Sequence, residues 1–287
     1  MSRWLPSLTP GRDWHVELRP ASVSLARRAR SFRVRADGPR MVAVTNGDGT
    51  GAPETWRAAA ETLSEALRER RARLGRVEVV LSDHFVRYLL IPWSRGLVSD
   101  SERISFARLA FKDLYGAAAD SWDLCLDEQP AGLASFAAAV DRALVSSVRD
   151  AVTRTGGQLV SLVPNLVDRI NRHRSALKAK QFCFAAAEPG RASLAFHSDG
   201  AWQAVRSRRI DSPLGQALPV LLKQEAVVGG ASGGGVLYLC SDAAPAPGGI
   251  PGWQLVRLGN GSRWRRSEAD AHVAPEVERR GLEPGKG

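Results

Sequence analysis

Apolar residues along this chain follow two spacings, which predict strands and helices in mixed order. Short runs of alternating or continuous apolar residues, bounded by Pro, Gly, Asn or Asp, are typical of strands. We predict strands at Trp14–Leu18, Ser22–Ala26, Arg40–Val44, Val77–Leu81, Phe85–Ile91, Trp122–Leu126, Leu133–Phe136, Gln158–Val163, Gln181–Ala186, Arg191–His197, Ala201–Ser207, Val236–Cys240 and Gln254–Leu258.

Apolar residues that recur every three or four positions predict five helices between these strands. The predicted helices run from Pro53 to about Arg73, from Ser99 to about Tyr115, from about Ala138 to Arg154, from Asn165 to Leu177, and onward from Ser212. The second of them starts with a Ser-Asp-Ser-Glu sequence at Ser99, which fits a capping box. Pro219 lies inside the last one, where we expect a kink.

Strand groups and helices follow each other in a similar order in the two halves of the chain, which indicates an α/β fold with an internal duplication of elements. We place the first half at residues 13–155 and the second at 156–260. The first dozen residues read as a loose arm, Asn46–Pro53 as a loop and Gly229–Gly235 as a flexible linker. Residues 261–287 are polar and rich in Gly and Pro, so we predict a disordered tail there.

The composition favours a globular protein of the cytoplasm. The chain has 287 residues, of which 44% are hydrophobic, enough for a sizeable core. No run of about 18 apolar residues is present, so we expect no transmembrane helix, and the N-terminus lacks a signal-peptide pattern. The three cysteines are far apart, without the spacing of metal ligands, which suits thiols in a reducing compartment.

The net charge of +10 raises the question of a nucleic-acid partner. The 40 basic residues comprise 35 Arg and 5 Lys, and they are spread along the chain instead of forming a stripe. Trp202, Trp253 and Trp264 lie near arginines, but no strand carries aromatic residues at the regular spacing of an RNA-binding sheet. We therefore do not favour nucleic acid, whereas an acidic partner such as an anionic membrane surface stays open.

Known catalytic motifs are absent from the sequence. It contains no P-loop, and no Gly-x-Gly-x-x-Gly follows a predicted strand. Gly230–Gly234 reads Gly-Ala-Ser-Gly-Gly, which matches a nucleophile elbow, but it follows a helix instead of a strand, so we interpret it as linker. No histidines pair at metal spacing, and we interpret His84 as a turn residue. We expect no catalytic residue and no metal.

One segment, Val77–Gly116, resembles the actin-like assembly proteins of type IV pili and type II secretion, PilM and the cytoplasmic part of GspL. Its paired strands and the following helix with an acidic start are similar to a pattern in that family. The matching positions are Val79, Val80, Leu81, Val86, Arg87, Pro92 and Glu102. The resemblance implies an actin-like fold, a duplicated ribonuclease H-like α/β architecture, in which residues 13–155 and 156–260 form the two subdomains.

The nucleotide-binding motifs that the resemblance leads one to expect are degenerate. Actin-like ATPases carry Asp-x-Gly on the first hairpin, where this chain has Glu17 through Ser22 with Pro20 between them. On the second hairpin, Glu188, a proline and Gly190 replace the usual Asp and small residues. A late Gly-Gly pair is also absent, since Ser241, Asp242 and Ala243 follow the strand Val236–Cys240. We therefore expect no cofactor, with ATP the one that the family would otherwise bind.

The leading hypothesis is a non-catalytic scaffold of a pilus or secretion platform. The resemblance implies docking to the cytoplasmic tail of a PilN-like inner-membrane protein, contact with an assembly ATPase, and a cytoplasmic location peripheral to the inner membrane. Three alternatives stay open. They are a nucleotide-binding ATPase or sugar-kinase-like enzyme of the same fold, a basic nucleic-acid-binding protein, and an α/β protein of another family.

Overall fold

The helices and strands were located in a computed structural model, which describes residues 13–28, 40–44, 55–69, 74–97, 99–229, 234–242 and 248–259. The strands are β1 Asp13–Leu18, β2 Ser22–Arg28, β3 Arg40–Ala43, β4 Arg76–Leu81, β5 Val86–Ile91, β6 Trp122–Leu126, β7 Ser135–Asp141, β8 Gln158–Pro164, β9 Phe182–Glu188, β10 Arg191–Ser198, β11 Ala201–Arg209, β12 Gly235–Ser241 and β13 Trp253–Leu258. The helices are α1 Thr55–Arg68, α2 Asp100–Tyr115, α3 Arg142–Arg154, α4 Asn165–His173 and α5 Leu214–Gly229.

Two five-stranded sheets have the same plan. The first has the order β3-β2-β1-β4-β8, and the second has the order β11-β10-β9-β12-β13. In the order given, the first three strands of each sheet pair antiparallel, and the last two run parallel to the third strand. Parallel neighbours need a crossover connection, and α1 and α5 lie in the connections to β4 and β12. The predicted duplication of elements is therefore present in the strand directions.

A third, three-stranded sheet, β5-β7-β6, is inserted in the first half of the chain. One of its faces contributes Tyr88, Phe136 and other side chains to the main core, and the opposite face packs on α2 around Phe111. β5 also lies against β11 of the second sheet. The ring of Phe136 in β7 meets the ring of Trp202 in β11 edge to face, with the ring centroids 6.0 Å apart. The insertion thus contacts both halves.

The capping box predicted at Ser99 is confirmed. The Ser99 hydroxyl accepts a hydrogen bond from the Glu102 backbone N–H at 3.3 Å, and the Glu102 carboxylate accepts one from the Ser99 N–H at 2.9 Å. Together these contacts satisfy two of the donors that a helix start leaves without partners. The helix ends at Tyr115, and Gly116 follows with a positive φ of 66°, which glycine adopts easily.

The prediction of a helix from Ala138 was wrong at its start. Residues Ser135–Asp141 form β7, the central strand of the inserted sheet, and α3 begins only at Arg142. The run Phe136–Val140 is continuously apolar because β7 pairs with a strand on either side and is covered on both faces. Asp141 marks the true boundary, since its carboxylate accepts the Ala143 N–H at 2.8 Å.

Smaller differences concern helix ends and turns. α1 ends at Arg68, α4 ends at His173 instead of Leu177, and a 3-10 turn at Asp83–Phe85 precedes β5. α5 continues through Pro219. The predicted N-terminal arm, the loop at Asn46–Pro53, the linker residues 230–233 and the tail 261–287 lie outside the described residues.

Across the described part of the chain, no helix is both long enough and apolar enough to cross a bilayer. None of the three cysteines forms a disulfide: Cys183 and Cys240 are buried, and Cys125 is half-buried.

Candidate functional site

Turns and strand ends of the two sheets meet at one interface, which is named the cleft. β1, β4 and β8 run parallel in the first sheet, so their carboxyl ends share one edge, and β9 and β12 do the same in the second sheet. Ligands of open α/β sheets bind at such edges. In this chain the convergence brings three predicted positions together, Glu17 of β1, Glu188 of β9 and Asp242 after β12.

Arg19 crosses the cleft. Its Nη2 lies 3.0 Å from Oε2 of Glu17 and 2.6 Å from Oδ2 of Asp242, residues that belong to different sheets. Burial by itself disfavours the charged guanidinium, but the carboxylates of Asp242, Glu17 and Glu188 outweigh it and raise the pKa of Arg19. The β1–β2 turn is therefore tied to the end of β12 by a charged, partly buried contact.

A second arginine, Arg169 of α4, reaches the same carboxylate. It pairs with Asp242, donates from Nε to Oδ1 of Asn165 at 2.7 Å and donates from Nη1 to Sγ of Cys240 at 2.8 Å. The side chain is almost fully buried. Asp242 thus receives two guanidiniums, and charge-assisted contacts of this kind are stronger than neutral hydrogen bonds.

Glu17 is held in its charged form. Burial would raise its pKa, but the contact with His15 and the charge of Arg19 outweigh burial and lower the pKa to about 2. Nε2 of His15 lies 3.7 Å from Oε1 of Glu17. A carboxylate ionised at all physiological pH values and paired on both sides is suited to holding a structure in place.

Glu188 lies in the opposite electrostatic environment. Only 3% of its surface is exposed, and Oε2 accepts the Ser82 hydroxyl at 3.1 Å and the Asp83 N–H at 2.8 Å. Burial and the nearby charge of Asp83 raise the pKa of Glu188 to about 7, against the opposing effect of Arg19. This residue joins the β9–β10 turn of the second sheet to the end of β4 in the first sheet.

Asp83, beside Glu188, is saturated with internal donors. Its carboxylate accepts the Tyr88 hydroxyl at 2.5 Å, the Leu166 backbone N–H at 3.1 Å and the Asn165 side-chain amide at 3.4 Å. Burial, and then the charge of Asp83, raise the pKa of Tyr88 well above its usual value, so its hydroxyl remains a donor. The pair Asp83 and Glu188 is therefore occupied in hydrogen bonds within the protein.

The β9–β10 turn contacts the first half through His84. Gly190 has a φ of 76°, and a Cβ at this position would lie 3.5 Å from Cε1 of His84. Nε2 of His84 lies 2.9 Å from the Pro189 carbonyl, which can only accept, so Nε2 carries the proton. Burial lowers the pKa of His84, which keeps the ring neutral.

The predicted degenerate positions have structural partners in the cleft. Glu17 and Glu188 bind Arg19 and Ser82, Gly190 forms the turn beside His84, and the Ser22 carbonyl accepts the Arg19 N–H at 3.0 Å. The sequence alone did not indicate the roles of Asp83 and Arg169. A polar triplet between two apolar strands was the available signal for Asp83, and a spacing of four residues from Asn165 was the signal for Arg169.

Within the described residues, no three His, Cys, Asp or Glu side chains cluster in a way that could hold a metal ion. The charged groups of the cleft are arranged as cross-links between the two sheets. Chemically, the arrangement can fix the angle between the sheets and occupy the space between the two turns.

No family model matches the chain, and no curated protein sequence matches it. Solved structures do. The cytoplasmic domain of EpsL, an inner-membrane component of the type II secretion system of Vibrio cholerae, has a TM-score of 0.53 and 13% identity, covering 86% of this chain and 91% of that one. A PilM-PilN type IV pilus biogenesis complex has a TM-score of 0.55 and 14% identity, covering 82% of this chain and 82% of that one.

A third structure, from Bacteroides thetaiotaomicron, is described as a protein with an actin-like ATPase fold and unknown function. Its TM-score is 0.56 at 9% identity, covering 81% of this chain and 83% of that one. Likeness at such low identity concerns the fold. The fold of this chain is actin-like, which confirms the predicted class and the resemblance from which it came.

Proposed function

We propose that this chain is a non-catalytic scaffold of a type IV pilus or type II secretion platform at the inner membrane. In this role it holds the cytoplasmic end of a membrane component and links it to other parts of the machine. Two of the similar structures are named for such systems, and their similarity extends over more than four fifths of the chain.

The contact between Arg19 and Asp242 supports the proposal that the chain is not a catalyst. In actin-like ATPases the phosphates bind between the two turns that this chain closes with its own side chains. Arg19 crosses from one sheet to the other and meets a carboxylate that Arg169 also neutralises. A nucleotide would have to displace these ion pairs and would add its own negative charge beside Asp242, Glu17 and Glu188.

The partner we propose is a PilN-like inner-membrane protein, since one of the similar structures is a PilM-PilN complex. An assembly ATPase is the second partner that we propose for the scaffold. Binding to the membrane partner would place the chain in the cytoplasm, peripheral to the inner membrane.

A groove of about 530 Å³ offers a place for an extended segment of the membrane partner. It lies between β8 and β6, which are edge strands of their sheets among the described strands. The side chains from Leu159 to Val163 in β8 are half-buried, and so are all those of β6. Edge strands with unpaired backbone groups accept an added strand, and alternate side-chain pockets select its sequence.

The rim of this groove suggests the sequence that it would accept. Arg108 and Arg149 lie among its lining residues, and Asp123 is already paired with Arg142 at 3.0 Å. The excess of positive charge favours a segment that has apolar residues at alternate positions and an acidic residue near one end.

The test measures binding of a synthetic N-terminal tail of a PilN-like protein to the full chain by isothermal titration calorimetry. We expect Val160→Asp to weaken binding about tenfold or more, because it places a charge on the groove wall. Val220→Asp is the matched control, since Val220 is 54% exposed on α5 and does not line the groove. Failure of the wild-type chain to bind, or equal binding by both variants, would refute docking at this groove.

A further inference from the structure

A separate pocket of about 400 Å³ lies between the start of α1, the start of β5 and the segment of residues 115–122. None of residues 17–22 or 188–190 lines it, and it is distinct from the groove between β8 and β6. Its size falls within the range of small-molecule sites, about 300 to 1,000 Å³.

Aromatic side chains form the walls of this pocket, which are contributed by Trp56, Phe85, Tyr115 and Trp122. The rings of Tyr115 and Trp122 meet edge to face at 5.2 Å, and Phe111 packs against both from below. Ala139 supplies a small side chain. The pocket is therefore lined by half-buried rings that pack against one another, and such ring surfaces favour a planar aromatic ligand.

Two polar groups in the pocket lack a partner of the kind they require. Arg87 donates only to backbone carbonyls, at 3.4 Å to His84 and 3.2 Å to Val86, and forms no ion pair with any described residue. His84 is 95% buried, and its Nδ1 has no hydrogen-bond partner in the described part of the chain. Since Nε2 of His84 donates to Pro189, its ring is neutral and brings no positive charge to the pocket.

Arg87 is the cation that lines the pocket, and the carboxylates near it have other partners. The pKa of Arg191 is lowered, first by burial and then by the nearby positive charge of Arg87. Asp141 is the carboxylate that lines the pocket, and it is occupied in capping α3 through the Ala143 N–H. Asp83, behind His84, is occupied by Tyr88 and Leu166. Arg87 therefore has no ion-pair partner among the described residues and is available to an anionic group of a ligand.

We propose that this pocket binds a small aromatic anion, a planar ring that carries a carboxylate or a phosphate. The ring lies against Tyr115 and Trp122, and the anionic group pairs with Arg87. The chain thereby has a ligand site beside the inserted sheet.

The test uses saturation-transfer difference NMR with the full chain and five probes. 4-Hydroxybenzoate and phenyl phosphate carry both features, 4-hydroxybenzyl alcohol and phenol lack the anionic group, and inorganic phosphate lacks the ring. We expect at least one charged aromatic probe to bind about tenfold more tightly than its neutral counterpart and than phosphate. Arg87→Gln should abolish that preference, whereas Arg154→Gln, on the exposed end of α3, should preserve it.

A second pair of variants keeps the test valid if Arg87→Gln does not fold. Ala118 is exposed and lines the pocket, so Ala118→Trp should block it and eliminate the binding of the charged probe. Ala117→Trp, on the exposed neighbouring residue, should leave binding unchanged. No binding of either charged probe, equal binding of charged and neutral probes, or binding that persists in Ala118→Trp would overturn the proposal. Tail binding to the other groove is measured independently of these outcomes.

Discussion

Glu188 shows how a single carboxylate can join two sheets and remain sensitive to pH. It is fully enclosed, accepts donors from Ser82 and Asp83, and lies close to the Asp83 carboxylate. Two nearby carboxylates in a poorly solvated place disfavour a second negative charge, and this is why the pKa of Glu188 is raised to about 7. Glu17, on the other side of Arg19, has its pKa lowered to about 2 because its neighbours are cationic.

Glu188→Gln should make the protein more stable at pH 8. The folded-state pKa lies above the unfolded value of about 4.5, so the folded state binds more protons between pH 4.5 and 7. The free energy of unfolding therefore falls as pH rises through that window. Glutamine keeps an acceptor oxygen without the charge, and we expect a gain of about 1–3 kcal/mol at pH 8 that disappears near pH 4.

Urea denaturation of both proteins at pH 4, 6 and 8 measures this difference. Glu225→Gln is the control. Glu225 is buried and paired with Arg206 and Arg208, so removing its charge should make the protein less stable. A Glu188→Gln variant that is less stable than the wild type by the same amount at every pH would contradict the account.

At the scale of elements, α4 depends on a distant residue for its start. Pro164 occupies the N-cap position, and no side-chain hydrogen bond caps the helix there. The Asp83 carboxylate, which follows β4, accepts the Leu166 N–H instead. The first turn of α4 is therefore joined to the end of β4, and the same carboxylate satisfies the buried Tyr88 hydroxyl.

Removing the Asp83 carboxylate should lower the free energy of unfolding more than removing a cap that acts only within its own helix. Asp83→Ala leaves the Tyr88 hydroxyl and the Leu166 N–H buried without an acceptor, and we expect a loss of about 3 kcal/mol or more. Asp141→Ala removes only the local cap of α3 and should cost about 1 kcal/mol. Thermal and urea unfolding of both variants provide the comparison, and equal losses would show that Asp83 is an ordinary cap.

The sequence predicted those elements whose signals are local. The capping box at Ser99 could be predicted because Ser99 and Glu102 are three residues apart, and hairpins such as β9–β10 could be predicted from their turn residues. The boundary between β7 and α3 was predicted wrongly, since Ala138–Val140 is compatible with a buried strand and with a helix.

The candidate site was only partly predictable for a related reason. Turn positions such as Glu17 and Glu188 could be identified by comparison with a motif, but their partners could not. Arg19 and Asp242 are 223 residues apart, and Asp83 and Leu166 are 83 apart. Such contacts arise from the strand order of the folded chain, and one sequence without a fold contains no local signal for them.

At the scale of the whole molecule, the two halves are cross-linked in both directions. Arg19 of the first sheet reaches Asp242 of the second, and Glu188 of the second reaches Ser82 and Asp83 of the first. The inserted sheet adds the contact between Phe136 and Trp202. Because the protein's own ion pairs fill the cleft, its outer surfaces are where the proposed partners would bind.

The most direct test of the closed cleft is hydrogen–deuterium exchange of the full chain with MgATP and, separately, with the PilN-like tail. We expect no change in amide exchange at residues 17–22 and 188–190 on addition of MgATP, and slower exchange in β8 and β6 on addition of the tail. Protection of both turns by MgATP, with β8 and β6 unaffected by the tail, would contradict this expectation and favour a nucleotide-binding protein.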